Sequence, residues 1–278
     1  MDKNRFRIIA VDFDGTLLRS DKTISPFTRR TLLKAHREGY LIVPCTGRVL
    51  SGIPDFISKL NICDYYITCN GANIIDARSS QSIANAFFPY ELSVDIMEYM
   101  KGLNTYFDCY SHELGYVSQS FLDNLEEYVG NKQIRELVFK TRSGVDDLLS
   151  YVKERHLEIE KMQMFFRDET EREAAIQGLR ENFKDIVVTS SLKNNVEINY
   201  HTATKGEGIR KLCAFLEIPV SEVITFGDSF NDESMLDIGS FGVVMGNGDY
   251  ELKKKADYIA DNNDNDGVAK AIVELLLK

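Results

Sequence analysis

Short apolar runs, each ending in a small polar cluster, recur at both ends of this chain. Residues 7–13 form one, which stops at Asp12-Phe13-Asp14-Gly15-Thr16. Residues 41–45 form a second, followed by Thr46-Gly47-Arg48, and residues 65–69 a third, followed by Asn70-Gly71. Runs of this length bounded by turn residues predict buried strands. Between the first two, Ser25-Pro26 supplies an N-cap and a proline at the first helical position, and Gly39 closes a helix. A further helix is expected over 51–60, although Pro54 interrupts its start. The last third repeats the pattern. Strands are expected at 196–200, 223–226, 241–245 and 258–260, and helices at 205–216, 232–238, 250–256 and from Gly267. Alternating strand and helix predict an α/β fold, a Rossmann-like parallel sheet with helices on both faces.

The middle reads differently. Residues 105–110 and 161–166 alternate like half-exposed strands, and 92–100 and 171–182 like helices. The expected organisation is therefore a core domain of residues 1–82 and 192–278, carrying an inserted α+β domain of residues 83–191.

Composition narrows the partners. The 278 residues carry a formal charge of −10, so nucleic acid and anionic lipid are repelled at long range. No apolar run approaches a membrane span, and no signal-peptide pattern is present. Cys45, Cys63, Cys69, Cys109 and Cys213 form no C-x-x-C pair, which reads as reduced thiols in a cytoplasmic protein. Oligomeric state stays open between a monomer and a weak dimer.

Four polar clusters carry the chemistry. Asp12 and Asp14 stand two apart where a buried strand leaves the sheet, the place where such sheets bind ligands. One carboxylate can act as nucleophile while the other handles a proton. Thr46 and Gly47 open a segment whose hydroxyl and N–H groups suit a phosphate. Lys205 opens a helix, where the dipole disfavours a cation and so points to an anionic partner. Gly227-Asp228-Ser229-Phe230-Asn231-Asp232 sets two carboxylates and an amide at another strand exit, a set that suits a hard cation. Taken singly, each has an ordinary explanation as a turn or a helix cap. Together, four carboxylates and a phosphate would repel one another unless Mg²⁺ and Lys205 supplied positive charge.

In this order, Asp12-x-Asp14-Gly-Thr-Leu, Thr46-Gly47-Arg48, Lys205-Gly206 and Gly227-Asp228-x-x-Asn231-Asp232 resemble the four motifs of the haloacid dehalogenase superfamily. The insert between the second and third motifs is similar to the α/β cap of its Cof-type (type IIB) phosphatases. So are Asn70-Gly71-Ala72, Met245-Gly246-Asn247, Asn263 and Asp266-Gly267-Val268. The resemblance implies a phosphatase acting on a small phosphorylated metabolite through an aspartyl phosphate. On that basis Asp12 is the nucleophile and Asp14 the acid and base. Mg²⁺ lies between Asp12, the Asp14 carbonyl and Asp228, and Thr46, Gly47, Arg48, Lys205 and Asn231 hold the substrate. Asp232, Asn70 and Gly71 support the site. Tyr110, His112, Lys161, Gln163 and Met164 are candidates for reading the leaving group only because they fall on expected strands of the insert.

Rivals remain at this point: a phosphomutase on the same motifs, a non-catalytic phosphate- or metal-binding regulator, and a redox sensor at Cys45 or Cys69. A calcium loop at 262–267 fails because Val273 stands where its last carboxylate belongs. Gly246-x-Gly248 lacks the third glycine of a dinucleotide fingerprint, and Asn247-Gly248 reads as a plain hairpin turn.

Overall fold

The computed structural model describes residues 5–190 and 194–277. In chain order, the first stretch runs β1 (Ile8–Val11), α1 (Pro26–Arg37), β2 (Leu41–Pro44), α2 (Asp55–Ser58), β3 (Tyr65–Thr68), β4 (Asn73–Asp76) and β5 (Ser82–Asn85). The middle runs α3 (Tyr90–Lys101), β6 (Tyr106–Ser111), β7 (Leu114–Ser118), α4 (Gln119–Asp123), α5 (Leu125–Tyr128) and α6 (Lys132–Thr141). It continues through β8 (Arg142–Val145), α7 (Leu148–Arg155), β9 (Lys161–Phe165), α8 (Glu169–Asn182), β10 (Ile186–Thr189) and β11 (Asn195–Tyr200). The last stretch runs α9 (Lys205–Leu216), β12 (Val223–Gly227), α10 (Glu233–Leu236), β13 (Phe241–Val244), α11 (Tyr250–Lys253), β14 (Tyr258–Ile259) and α12 (Gly267–Leu275).

Two compact units result. The first comprises Met1–Gly47, Pro54–Asn85 and Thr204–Lys278, and the second comprises Arg48–Ile53 and Ala86–Ala203. The domain boundary expected between residues 191 and 192 falls outside the described residues.

The first unit is built on a parallel sheet in the order β14-β13-β12-β1-β2. Ile8, Ile9, Ala10 and Val11 are all buried, as a central parallel strand covered on both faces requires. The chain leaves β1 for β2 on one side, while β12 to β14 extend the other. The point where strand order reverses therefore lies between β1 and β12. Helix α1 begins as its sequence predicts, with Ser25 Oγ accepting from Thr28 N at 2.9 Å and Pro26 leading the first turn.

Two expectations here need correction. Residues 51–60 do not form one helix. Pro54 has no N–H and holds Ile53 extended, splitting the segment into a 3-10 turn, Leu50–Gly52, and α2. Strand β3 meets β2 only through isolated parallel bridges, Ile42 with Cys63 and Cys45 with Ile67. Its continuous partner is β4, antiparallel, in a separate sheet β3-β4-β5. The reversal occurs at Cys69, Asn70 and Gly71, all with positive φ.

The second unit holds a six-stranded sheet in the order β10-β11-β9-β6-β7-β8, antiparallel except where β7 and β8 run parallel. The strand expected at 196–200 belongs here, paired with β9 and β10, and not with the parallel sheet. One face of this sheet (Cys109, Met162, Met164, Val196, Ile198) packs against α3, α7 and α8 through Ile96, Met97, Val152 and Leu179. Strands 105–110 and 161–166 were expected to be half exposed, yet β9 is buried at every position. Their polar face is buried too, by side chains that pair with one another.

Candidate active site

Three strand ends of the first unit converge. Asp12 follows β1, Thr46 follows β2 after Cys45, and Asp228 follows β12. All three strands run parallel, so their carboxyl ends share one edge. Lys205 joins them from the first turn of α9, whose N-cap Thr204 accepts from Glu207 N through its hydroxyl at 3.1 Å.

Lys205 is fully buried, and its Nζ donates to Asp12 Oδ1 at 2.6 Å and to Asp232 Oδ1 at 2.5 Å. The other oxygen of Asp232 accepts from the backbone N–H of Asp228 at 2.8 Å and of Ser229 at 3.1 Å. Asp232 is thus committed on both oxygens and fixes Lys205 and the β12 exit together. Asp228 Oδ1 accepts from the Thr16 hydroxyl at 2.7 Å, which ties the β12 exit to the loop after β1. Thr16 was not singled out from sequence, although it stands in the Asp-Gly-Thr run.

The electrostatics follow from burial. Burial pushes the Asp12 carboxyl well above the usual carboxylate range. Lys205 pulls it back, while Asp232, Asp228 and Asp14 push it further up. Burial, then Asp232, pushes Asp228 up to about 6, against the Thr16 hydrogen bond and Lys205. Burial also acts most strongly on Lys205, against its charge. Asp12 and Asp232 together outweigh it and hold the ammonium above its ordinary value.

Oxygens of Asp12, Asp228 and Asp232 lie within 4.8 Å of one another. Lys205 bonds Asp12 and Asp232, so Asp228 has no cation in hydrogen-bond contact among the described residues. An all-oxygen donor set with this surplus of negative charge fits a hard divalent cation.

Asp14 lies outside this buried cluster. Its Oδ1 accepts from Lys22 Nζ at 2.7 Å, and its side chain is 41% exposed. Gly15 between them has φ +85, and a Cβ there would come within 2.4 Å of Asp228 Oδ2, so only glycine fits. Thr46 is buried, with its N–H donating to Ile67 O and its carbonyl accepting from Asn70 N. Gly47 is the last residue before the chain enters the second unit. Arg48 belongs to that second unit, where Nη1 donates to Gly52 O at 2.7 Å. Asn231 Nδ2 donates to Asn70 Oδ1 at 3.3 Å, joining the loops after β12 and β3.

Asn247-Gly248 is not the hairpin turn expected. Neither residue has positive φ, and the strands around it, β13 and β14, run parallel. Asn247 Nδ2 instead donates to Gly15 O at 2.7 Å, and Asn263 Nδ2 to Leu18 O at 2.9 Å. These two amides hold the loop after β1 from the far end of the chain. Of the leaving-group candidates, Met164 lies in the apolar core and His112 in an exposed turn, while Tyr110, Lys161 and Gln163 are buried on the polar face. Cys45 and Cys69 are buried, and burial raises the Cys45 thiol far above neutrality, which removes the redox reading its reactive thiolate. No helix among the described residues is long and apolar enough to cross a membrane.

Known proteins match along the whole chain. Phosphatase YwpJ of Bacillus subtilis is 28% identical, covering 97% of this chain and 100% of its own. The B. subtilis protein YcsE, named as a 5-amino-6-(5-phospho-D-ribitylamino)uracil phosphatase, is 29% identical over 96% of this chain and 94% of its own. A solved haloacid dehalogenase-like hydrolase from B. subtilis superposes with a TM-score of 0.87 at 27% identity, covering 98% of this chain and 100% of that one. The model of the haloacid dehalogenase-like hydrolases matches residues 9–272, and the chain belongs to that family as an enzyme of the phosphatase type.

Proposed function

We propose that this protein is a Mg²⁺-dependent phosphatase that hydrolyses monoesters of small metabolites, sugar phosphates or similar, through a phosphoryl group carried on Asp12. The observation that carries the reading is Lys205, fully buried between Asp12 and Asp232 at the carboxyl end of β1. A buried lysine on two carboxylates neutralises one of them and leaves the surplus that a cation and a phosphate together complete.

In the first step Asp12 attacks phosphorus, the bond to the ester oxygen breaks, and Asp14 gives its proton to that oxygen. Asp14 is paired with Lys22, so the proton must compete with that contact. In the second step Asp14 takes a proton from water as the water oxygen attacks phosphorus, and Asp12 is released. Thr46, the Gly47 N–H, Lys205 and Asn231 would hold the phosphoryl oxygens, and Arg48 remains a candidate beside them. Asp232, Asn70 and Gly71 position these groups. Mg²⁺, held by Asp12, the Asp14 carbonyl and Asp228, would offset the negative charge that develops on the transferring group. The barrier to monoester hydrolysis in water is very high, so the site must lower it by on the order of 20 kcal/mol or more. The named substrate of YcsE, a phosphorylated ribityl compound, supports a small hydroxylated ester.

The test is inorganic phosphate release from a panel of monoesters, with Mg²⁺ or with chelator, by the parent and by Asp12→Asn. Metal-dependent release that vanishes in the variant supports the reading. Equal release by both proteins overturns it.

A further inference from the structure

The loop after β13, residues 245–249, is tied to the end of β12 by its backbone. Met245 N donates to Gly227 O at 3.0 Å, and Asp249 N donates to Asp228 O at 2.8 Å. Gly248 N donates to Met245 O at 2.8 Å, and Lys253 Nζ to Gly246 O at 2.7 Å, which stiffens the loop itself. Asp228 and this loop are therefore held as one piece. Asn247 stands in the middle of the loop and reaches the other way, to Gly15.

The Asn247 amide is used at both ends. Oδ1 accepts from Asn263 N at 2.9 Å, and Nδ2 donates to Gly15 O at 2.7 Å. A flipped amide would set donor against donor and acceptor against acceptor, so its orientation is fixed. Yet Asn247 is exposed. A surface amide adds little to the fold through such bonds, because water can replace them. What distinguishes this one is the group it holds. Gly15 has φ +85, and Asp228 Oδ2 occupies the space that its Cβ would take. That close approach requires a glycine, and a glycine backbone is loose. Holding the Gly15 carbonyl limits the rotation that would let the neighbouring Asp14 carbonyl swing. The loop after β1 has another tie to Asp228, from the Thr16 hydroxyl to Oδ1 at 2.7 Å. That tie uses a carboxylate oxygen, for which a cation competes. The Asn247 tie reaches Asp228 through the backbone and leaves the carboxylate free.

We propose that Asn247 is a positioning residue for the metal ligands: through the Gly15 carbonyl it holds the Asp14–Gly15 peptide in register with Asp228. This rests on the phosphatase reading above, in which the Asp14 carbonyl and Asp228 share Mg²⁺ with Asp12. Groups that orient a metal ligand from behind commonly carry about 10- to 100-fold in affinity.

The test titrates Mg²⁺ calorimetrically, without substrate, into the full chain as parent, Asn247→Ala and Asn263→Ala. Phosphate release from p-nitrophenyl phosphate is then followed at rising Mg²⁺. Asn263 is buried and holds the same loop farther along, at Leu18 O. Leu17 and Leu18 are also tied back by their own N–H groups, to Asp12 O and Phe13 O. Asn263→Ala should therefore lose more in Tm than Asn247→Ala, yet bind Mg²⁺ as the parent does. Asn247→Ala should bind Mg²⁺ about tenfold more weakly, the low end of that range for an exposed group. Its turnover should return to the parent's at saturating Mg²⁺. Unchanged affinity in Asn247→Ala overturns the proposal. So does an equal loss of affinity in both variants, or a loss of turnover that Mg²⁺ does not restore. A parent that binds Mg²⁺ but releases phosphate from no ester overturns the phosphatase reading and leaves the affinities to decide this one. A parent that binds no Mg²⁺ overturns both.

Discussion

A Cβ placed on Gly71 would lie 2.0 Å from the carbonyl oxygen of Thr204, the N-cap of the helix that begins with Lys205. Gly71 also has φ +103. Replacing it with alanine would force the β3–β4 turn and the start of α9 apart, at a cost of about 2–3 kcal/mol. Because Lys205 sits at that helix start, activity should fall more than the lost stability accounts for. Denaturant unfolding and phosphate release on the same preparation of Gly71→Ala check this.

Lys205→Met keeps the volume and removes the charge. Two buried carboxylates then lose their shared ammonium, a change that costs about 3–5 kcal/mol. Turnover should fall on the order of 10²- to 10³-fold. Without Lys205 the pull that lowers Asp12 is gone, so its folded pKa rises further above the unfolded value. A group raised on folding stabilises at low pH and loses that contribution as pH rises. The variant should therefore have a higher Tm near pH 5 than near pH 8, a trend that a pH series of thermal melts would reveal or refute.

Divalent metal should stabilise the protein more at neutral than at acid pH. Burial pushes the Asp228 carboxyl up to about 6, against 3.8 for an ordinary aspartate. Its own contribution to stability is present at low pH and is lost as pH rises through about 6. A cation needs the ionised form, so affinity should drop about tenfold per unit below pH 6. The Tm gain from added Mg²⁺ over chelator, measured at pH 5 and pH 7.5, would test the sign. A gain independent of pH would remove Asp228 from the ligand set.

In the second unit, Asp147 caps α7 by accepting from Ser150 N at 2.8 Å, and Lys101 donates to its other oxygen at 2.7 Å. The Lys101 hydrogen bond, with that of Ser150, lowers its carboxyl to about 2. Asp147→Ala should cost about 1 kcal/mol at neutral pH. A group lowered on folding stabilises above its unfolded pKa of 3.8 and loses that contribution as pH falls toward 2. The gap between parent and variant in urea midpoint should accordingly close in acid.

The parallel core was legible because its strands are buried on both faces, so Ile8–Val11 reads as an unbroken apolar run and Val223–Gly227 as one interrupted only by Thr225. Lys205–Leu216 was legible to the residue because Thr204 caps it and its apolar positions keep helical spacing. The second unit was less so. Lys161 and Gln163 look like solvent-facing residues in sequence, and nothing local shows that Tyr110, Asp108 and Glu197 bury them. The buried pair of Asp108 and Arg142 was equally invisible, since the two lie 34 residues apart and a lone aspartate on a strand carries no local signal. Asn247 and Asn263 were read as turn residues or family marks, because what they hold, the carbonyls of Gly15 and Leu18, stands more than two hundred residues earlier.

The first unit is written in three separated stretches, the second mostly in one. On a ribosome that difference sets an order of assembly. Strand β1 emerges ahead of the second unit with β2 as its neighbour, but β12, its other neighbour, lies beyond residue 222. Until then an apolar strand waits with one edge open, the kind of exposure that invites mispairing. The stretch Ala86–Ala203 meanwhile contains every strand of its own sheet. The nascent chain should thus complete the second unit first and the cluster of Asp12, Asp228 and Asp232 afterwards. Asp12 is made well before Lys205 and Asp228, so until those residues follow, its carboxylate stands without the ammonium and the neighbouring carboxylate of its cluster.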